Sequence, residues 1–210
     1  RDRAPCWSPD GKEIAFYSNR SRQLEIWTIR PDGSGLQQLT KFSGTGNPWF
    51  PKWFPDRSHI VFYNQRGTFL VDLSKSVEDR QAEKIDLNLP RGSSFRYASI
   101  SDDGQKLVGV IVDSLESPRQ IAVYALATRQ FDTLSCSGTE PIWLNDSRRI
   151  LYQNRRGELC IADTRTGRSH ILSIPAYDVD ERGYTISSDN RALYFVRQMN
   201  EVDLWMGTFK

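Results

Sequence analysis

Histidine is nearly absent from this 210-residue chain, which carries only His59 and His170. Both fall at the starts of predicted strands, where they read as surface residues rather than as a catalytic base or a converging ligand set. The catalytic signatures are missing as well: there is no G-x-S-x-G nucleophile elbow, no HExxH zinc motif and no Gly-rich phosphate loop. No stretch of about 18 apolar residues occurs, which excludes a membrane-spanning helix. An excess of one charge is lacking too, since 28 Lys and Arg against 26 Asp and Glu leave a formal net charge of +2. That balance supplies no global attraction to nucleic acid or an anionic membrane. The three cysteines, Cys6, Cys136 and Cys160, have no metal spacing and no evident pairing. Cys6 and Cys160 read as small hydrophobes on strands, and Cys136, between Ser135 and Ser137 in a polar connection, as the exposed thiol. The sequence therefore predicts no catalytic residue, no cofactor and no metal.

What is present is a pattern. In Cys6-Trp7-Ser8-Pro9-Asp10-Gly11, Pro9 pre-sets the second position of a type I turn, Ser8 can bond back to the backbone and Gly11 suits the fourth position. The run Ile14-Ala15-Phe16-Tyr17 after it is a short apolar strand. Trp7 and Phe16 are expected to pack together as anchors. The unit returns as Trp53-Phe54-Pro55-Asp56, Ile100-Ser101-Asp102-Asp103-Gly104, Trp143-Leu144-Asn145-Asp146 and Ile186-Ser187-Ser188-Asp189-Asn190. The anchors at 7, 53, 100, 143 and 186 are spaced by 46, 47, 43 and 43 residues.

The remainder of each unit repeats too. A third strand is predicted at Leu24 to Ile29, Thr68 to Val71, Ile121 to Tyr124, Glu158 to Ile161 and Val202 to Met206, and a fourth at Leu36 to Thr40, Lys84 to Leu87, Gln130 to Leu134 and His170 to Ile174. Four short strands at this period are the signature of a propeller blade. The fold expected is all-β: a β-propeller of about five four-stranded blades, part of a ring of about six to eight. The recurring Asp10, Asp56, Asp103, Asp146 and Asp189 occupy the turn position, where a carboxylate caps backbone N–H groups rather than binding a metal.

The run from Pro5 to Phe16, closing at Leu39-Thr40, resembles the repeat of TolB-like, WD-like β-propellers. The resemblance covers essentially the whole chain and is loosest in the third and fifth repeats, where Ile100 and Ile186 replace the tryptophan. The same unit occurs in propellers of S9-type peptidases and in those attached to bacterial kinases and winged-helix regulators. The resemblance implies a bacterial protein, periplasmic or cytoplasmic, that binds a protein or peptide at its channel mouth. The alternative it implies is a propeller that gates or orients substrate for a separate catalytic domain; a lyase or lactonase is a weaker third reading.

The chain opens Arg1-Asp2-Arg3 without a methionine or a signal peptide and stops at a third strand. It reads either as a five-bladed ring with an incomplete last blade or, the favoured reading, as the C-terminal part of a larger propeller spanning residues 1–210. The oligomeric state is open.

Two features point to a binding face. Every predicted loop between second and third strands carries arginine: Arg20 and Arg22, Arg66, Arg119, Arg155 and Arg156, and Arg197. The planar guanidinium suits carboxylate or phosphate, so these residues would form a collar for an acidic peptide or other anion. Against this, Glu116, Asp178, Asp180, Glu181 and Glu201 stand close enough in sequence to neutralise it. The second feature is Asn47 to Phe54, with four aromatics in eight residues. Trp49 and Phe50 are placed in the connection after the first blade, where they serve as an interaction hot spot or an inter-blade plug.

Overall fold

The computed structural model describes residues 2–41, 46–64, 66–85, 89, 93–112, 120–173, 179–198 and 202–208, and among them there is no helix. Two compact units divide the chain, residues 1–88 and 89–210. In the first, β1 (Asp2–Trp7), β2 (Ile14–Ser18), β3 (Glu25–Ile29) and β4 (Gln37–Gln38) form one antiparallel sheet, and β5 (Trp49–Trp53), β6 (His59–Asn64), β7 (Gly67–Asp72) and β8 (Ala82–Lys84) form another, each in chain order. These are the predicted four-stranded blades.

The second unit holds a seven-stranded sheet of β9 (Ser94–Ile100), β10 (Lys106–Val112), β11 (Gln120–Ala125), β12 (Gln130–Trp143), β13 (Arg149–Asn154), β14 (Leu159–Asp163) and β15 (Ser169–Ile171). A three-stranded sheet of β16 (Val179–Ile186), β17 (Ala192–Gln198) and β18 (Val202–Thr208) follows. The seven strands are the third and fourth repeats joined, because β12 pairs with β11 over Gln130 to Ser137 and with β13 from Gly138 to Trp143. The predicted break after Leu134 is therefore not a break. Cys136 lies within this strand, half-buried, rather than in an exposed connection, and burial raises its thiol pKa. Cys6 and Cys160 are on strands as expected.

The turn after each first strand is built alike. The amide of Gly11, Arg57, Gly104, Ser147 and Asn190 donates to the carbonyl three residues earlier, at 2.9, 2.9, 2.9, 3.2 and 2.9 Å. All five adopt a left-handed φ, of 68°, 61°, 69°, 51° and 59°. Outside glycine that conformation costs roughly 1–2 kcal/mol, and each of the three non-glycine residues reaches the turn of the repeat before it. Arg57 ion-pairs with Asp10 at 2.5 Å and with Glu13, Ser147 Oγ accepts the Asp103 N–H at 3.0 Å, and Asn190 exchanges hydrogen bonds with Asn145. The costly residue thus becomes a staple between successive repeats.

Packing follows the same direction. Trp53 shares a core with Ala15, Ile26 and Leu39 of the preceding sheet as well as with Ile60, Phe62 and Val71 of its own. Trp143 likewise joins Val108, Ile121 and Leu134 to Ile150, Tyr152 and Cys160. Trp53 and Trp143 are each covered by side chains of the preceding repeat. Trp7 is 58% exposed where Trp53 and Trp143 are 8% and 5%. The expectation that Trp7 is a buried partner of Phe16 is therefore incorrect.

Candidate functional site

The loops between second and third strands place their arginines by a shared device. Ser18, Asn64 and Asn154 end β2, β6 and β13, and each accepts a hydrogen bond from the backbone amide two residues on: Arg20 at 3.2 Å, Arg66 at 2.8 Å and Arg156 at 2.9 Å. Side-chain oxygens that mimic a backbone turn hold the reversal. Ser18 and Asn64 are buried, so the cap is anchored in the sheet while the arginines stand at its end. In the two Asn-x-Arg-Gly loops, Gly67 and Gly157 take φ of 128° and 78°, values a side chain would resist.

Beyond their backbones the arginines differ. Arg20 is committed locally: its Nε donates to Ser18 Oγ at 3.0 Å, its guanidinium pairs with Asp2 at 2.9 Å, and it lies 5.0 Å above Phe16 and 5.2 Å above Trp27. Hydrogen bonds from Ser18 and Arg20 hold the Asp2 carboxyl below its ordinary range. Arg22, at φ 75°, and Arg66 are exposed, and the Lys84 side chain lies against the turn at Gly67. Arg155 and Arg156 are also exposed, beside Glu158, whose carboxylate accepts from Asn154 Nδ2 at 2.8 Å.

Arg197 is on β17, paired through its backbone with Val179 and Asp203, rather than in a loop. Arg119, Glu116, Asp178 and Glu201 lie outside the described residues, as do the side chains of Arg197, Asp180 and Glu181. The structure thus places Arg20, Arg22 and Arg66 in loops of the first unit, and Arg155 and Arg156 in a loop of the second.

Trp49 and Phe50 are in β5, not in a connection. The register of β5 on β6 shifts between Trp49 and Lys52, and at this bulge Phe50 takes φ 51° before Pro51. Ala4 before Pro5 and Glu140 before Pro141 take 50° and 43° at the corresponding shifts of β1 and β12, so the conformation is shared by the three repeats that carry this proline. The Phe50 ring stacks on Tyr63 at 5.6 Å and meets Tyr17 edge-on at 6.3 Å, and Trp49 is edge-on to Tyr63 at 6.1 Å. Sequence reasoning missed Tyr17, Tyr63 and Lys84 here. The Ser/Asn-x-Arg spacing was the legible signal for the turns, whereas the ring cluster is assembled from three strands.

The amide-capping role expected of the aspartates is present. Asp10, Asp56, Asp103, Asp146 and Asp189 each accept backbone amides within their own turns. His59 shares a 2.7 Å hydrogen bond with Ser58 through Nδ1, and His170 is exposed on β15.

Comparison with known proteins places these features in a family. A model of the TolB beta propeller domain matches residues 1–164. An uncharacterized protein of Agrobacterium fabrum is 42% identical over 62 residues, covering 30% of this chain and 20% of that protein. Two solved structures superpose over 99% of the chain: TolB from Acinetobacter baumannii (TM-score 0.74, 20% identity, 52% of that chain) and a protein described as a TolB of Agrobacterium tumefaciens (0.77, 15%, 77%). An oligogalacturonate lyase from Vibrio parahaemolyticus also superposes (0.61, 9% identity, 77% of that chain). At such identities these structures share the fold. The chain spans about half the length of the Acinetobacter protein and a fifth of the Agrobacterium fabrum relative.

Proposed function

Because the chain belongs to the TolB β-propeller domain family, we propose that it is a non-catalytic interaction module that takes a protein or peptide at the loop end of its sheets. The observation that carries this reading is the capped arginine turn, repeated at Arg66 and Arg156 and present also at Arg20, whose own guanidinium is held by Asp2. A turn whose backbone is held by a side-chain cap presents its arginine with less conformational freedom to lose on binding. Guanidinium groups so presented favour acidic side chains. The repeats belong, in this proposal, to a larger ring.

The test is replacement of Arg66, Arg155 and Arg156 by alanine together, with binding of a fluorescent oligoglutamate followed by anisotropy. All three residues are exposed, so the melting temperature should hold while affinity falls by about tenfold or more. Equal affinity in a variant that melts like the parent removes the arginine turns as a binding surface.

A further inference from the structure

The first unit carries one feature that the repeat does not require. At the left-handed position before the bulge proline, the first and fourth repeats place Ala4 and Glu140, whereas β5 places Phe50. The backbone accepts alanine there, so the aromatic ring is not demanded by the fold. Phe50 is also absent from the core that Trp53 shares with Phe62 and Val71. With Trp49 and Tyr63 it forms a partly exposed ledge.

The position of the ledge matters. Tyr17 and Tyr63, the two rings that Phe50 touches, immediately precede Ser18 and Asn64, the caps of two arginine turns. The ledge therefore sits between the loop carrying Arg22 and the loop carrying Arg66. Of the acidic residues described on β1 and β3 at this end, Asp2 pairs with Arg20, and buried Glu25 accepts from Thr40 Oγ1 at 2.6 Å. Lys84, against the Gly67 turn, adds a further cation.

We infer that this end of the first unit is a composite site for an extended acidic peptide with an apolar anchor: the anchor packs on the Phe50–Tyr63 ledge, and flanking carboxylates meet Arg22 and Arg66. The inference rests on the binding reading above and names the chemistry of the partner. Aromatic and arginine side chains dominate binding hot spots, because one supplies area at low entropic cost and the other paired hydrogen bonds. Arginine beside aromatic rings also suits single-stranded nucleic acid, but successive bases need successive open ring faces. Here Phe50 and Tyr63 cover one another, with ring planes inclined by only 11°.

The experiment compares three fluorescent probes by anisotropy: an oligoglutamate with one central phenylalanine, the same peptide without it, and oligothymidylate. The proteins are the parent chain, Phe50→Ala, Arg22→Ala with Arg66→Ala, and Arg155→Ala with Arg156→Ala, each checked for a parent-like melt. Phe50→Ala reproduces the residue found at Ala4, so the backbone tolerates it. The phenylalanine-bearing probe is expected to bind best, and to lose about tenfold or more with Phe50→Ala and with the Arg22 and Arg66 pair. It should be indifferent to the Arg155 and Arg156 pair, and the plain oligoglutamate indifferent to Phe50→Ala. Loss of acidic-peptide binding only with Arg155 and Arg156 overturns this site and leaves the general binding reading intact. Equal binding of the two peptides, or tighter binding of oligothymidylate, overturns the inference; failure of every acidic probe to bind overturns both readings.

Discussion

A tryptophan in this repeat is worth what the neighbouring sheet makes it worth. Trp53 and Trp143 are buried among side chains of two successive repeats, and truncation to alanine is expected to cost about 3–5 kcal/mol. Trp7 occupies the same sequence position but is 58% exposed, and its alanine variant should stay within about 0.5 kcal/mol of the parent. Urea melts of the three variants check this; equal losses would mean that Trp7 is covered. A second residue-level prediction concerns acid stability. The hydrogen bond from Arg148, at 2.5 Å, holds the Asp163 carboxyl at about 2, below its usual 3.8. A depressed carboxylate contributes stability above its unfolded value and loses it as pH falls through the folded one. Asp163→Asn should therefore lower the melting temperature at neutral pH, and the gap to the parent should close between about pH 4 and pH 2. A gap independent of pH would place the effect elsewhere than in the ionised pair.

Element by element, the five turns and most strands were legible because their physics is local. Proline at the second turn position, Asp as an amide acceptor and short β-branched or aromatic runs act within a few residues. The continuous β12 was not legible, since Leu134 to Glu140 contains no contact that announces its change of partner. Gly138 is where that change occurs. A β-carbon there would collide with the Gln153 carbonyl oxygen and approach the Tyr152 ring to 2.7 Å. Gly138→Ala should accordingly cost at least about 1–3 kcal/mol, whereas Gly11→Ala meets open space and pays only for its left-handed φ. Thermal melts of the two variants test the contrast, and a parent-like Gly138→Ala would show that β12 and β13 separate there freely. Arg57 is a further case that only the neighbouring sheet explains. Arg57→Gly relieves its φ of 61° but removes the pairs with Asp10 and Glu13. It should destabilise the protein at low salt and do so less at high salt, because these pairs are partly exposed; a salt-independent loss would argue for packing instead.

Across the whole molecule, near-neutral charge and local concentrations of cations are different properties. A net charge of +2 gives little long-range attraction, so acidic ligands must be held by particular turns at short range. Affinity for oligoglutamate is therefore expected to fall steeply with added salt, and the triple Arg66, Arg155 and Arg156 variant to show a shallower salt slope than the parent. Identical slopes would mean that these arginines contribute no ionic contacts. The amino-acid sequence by itself determined the all-β repeat, the anchor spacing, the turn chemistry and the arginines of the turns after β2, β6 and β13, because every one of these is set by residues within one repeat. Only the tertiary structure decided that Trp7 is exposed, that β12 joins two repeats into one sheet, that Arg20 is committed to Asp2, and that Phe50 joins Tyr17 and Tyr63 between two arginine turns. Those outcomes depend on which side chain arrives from the next sheet, a distance in space that spacing along the chain does not encode.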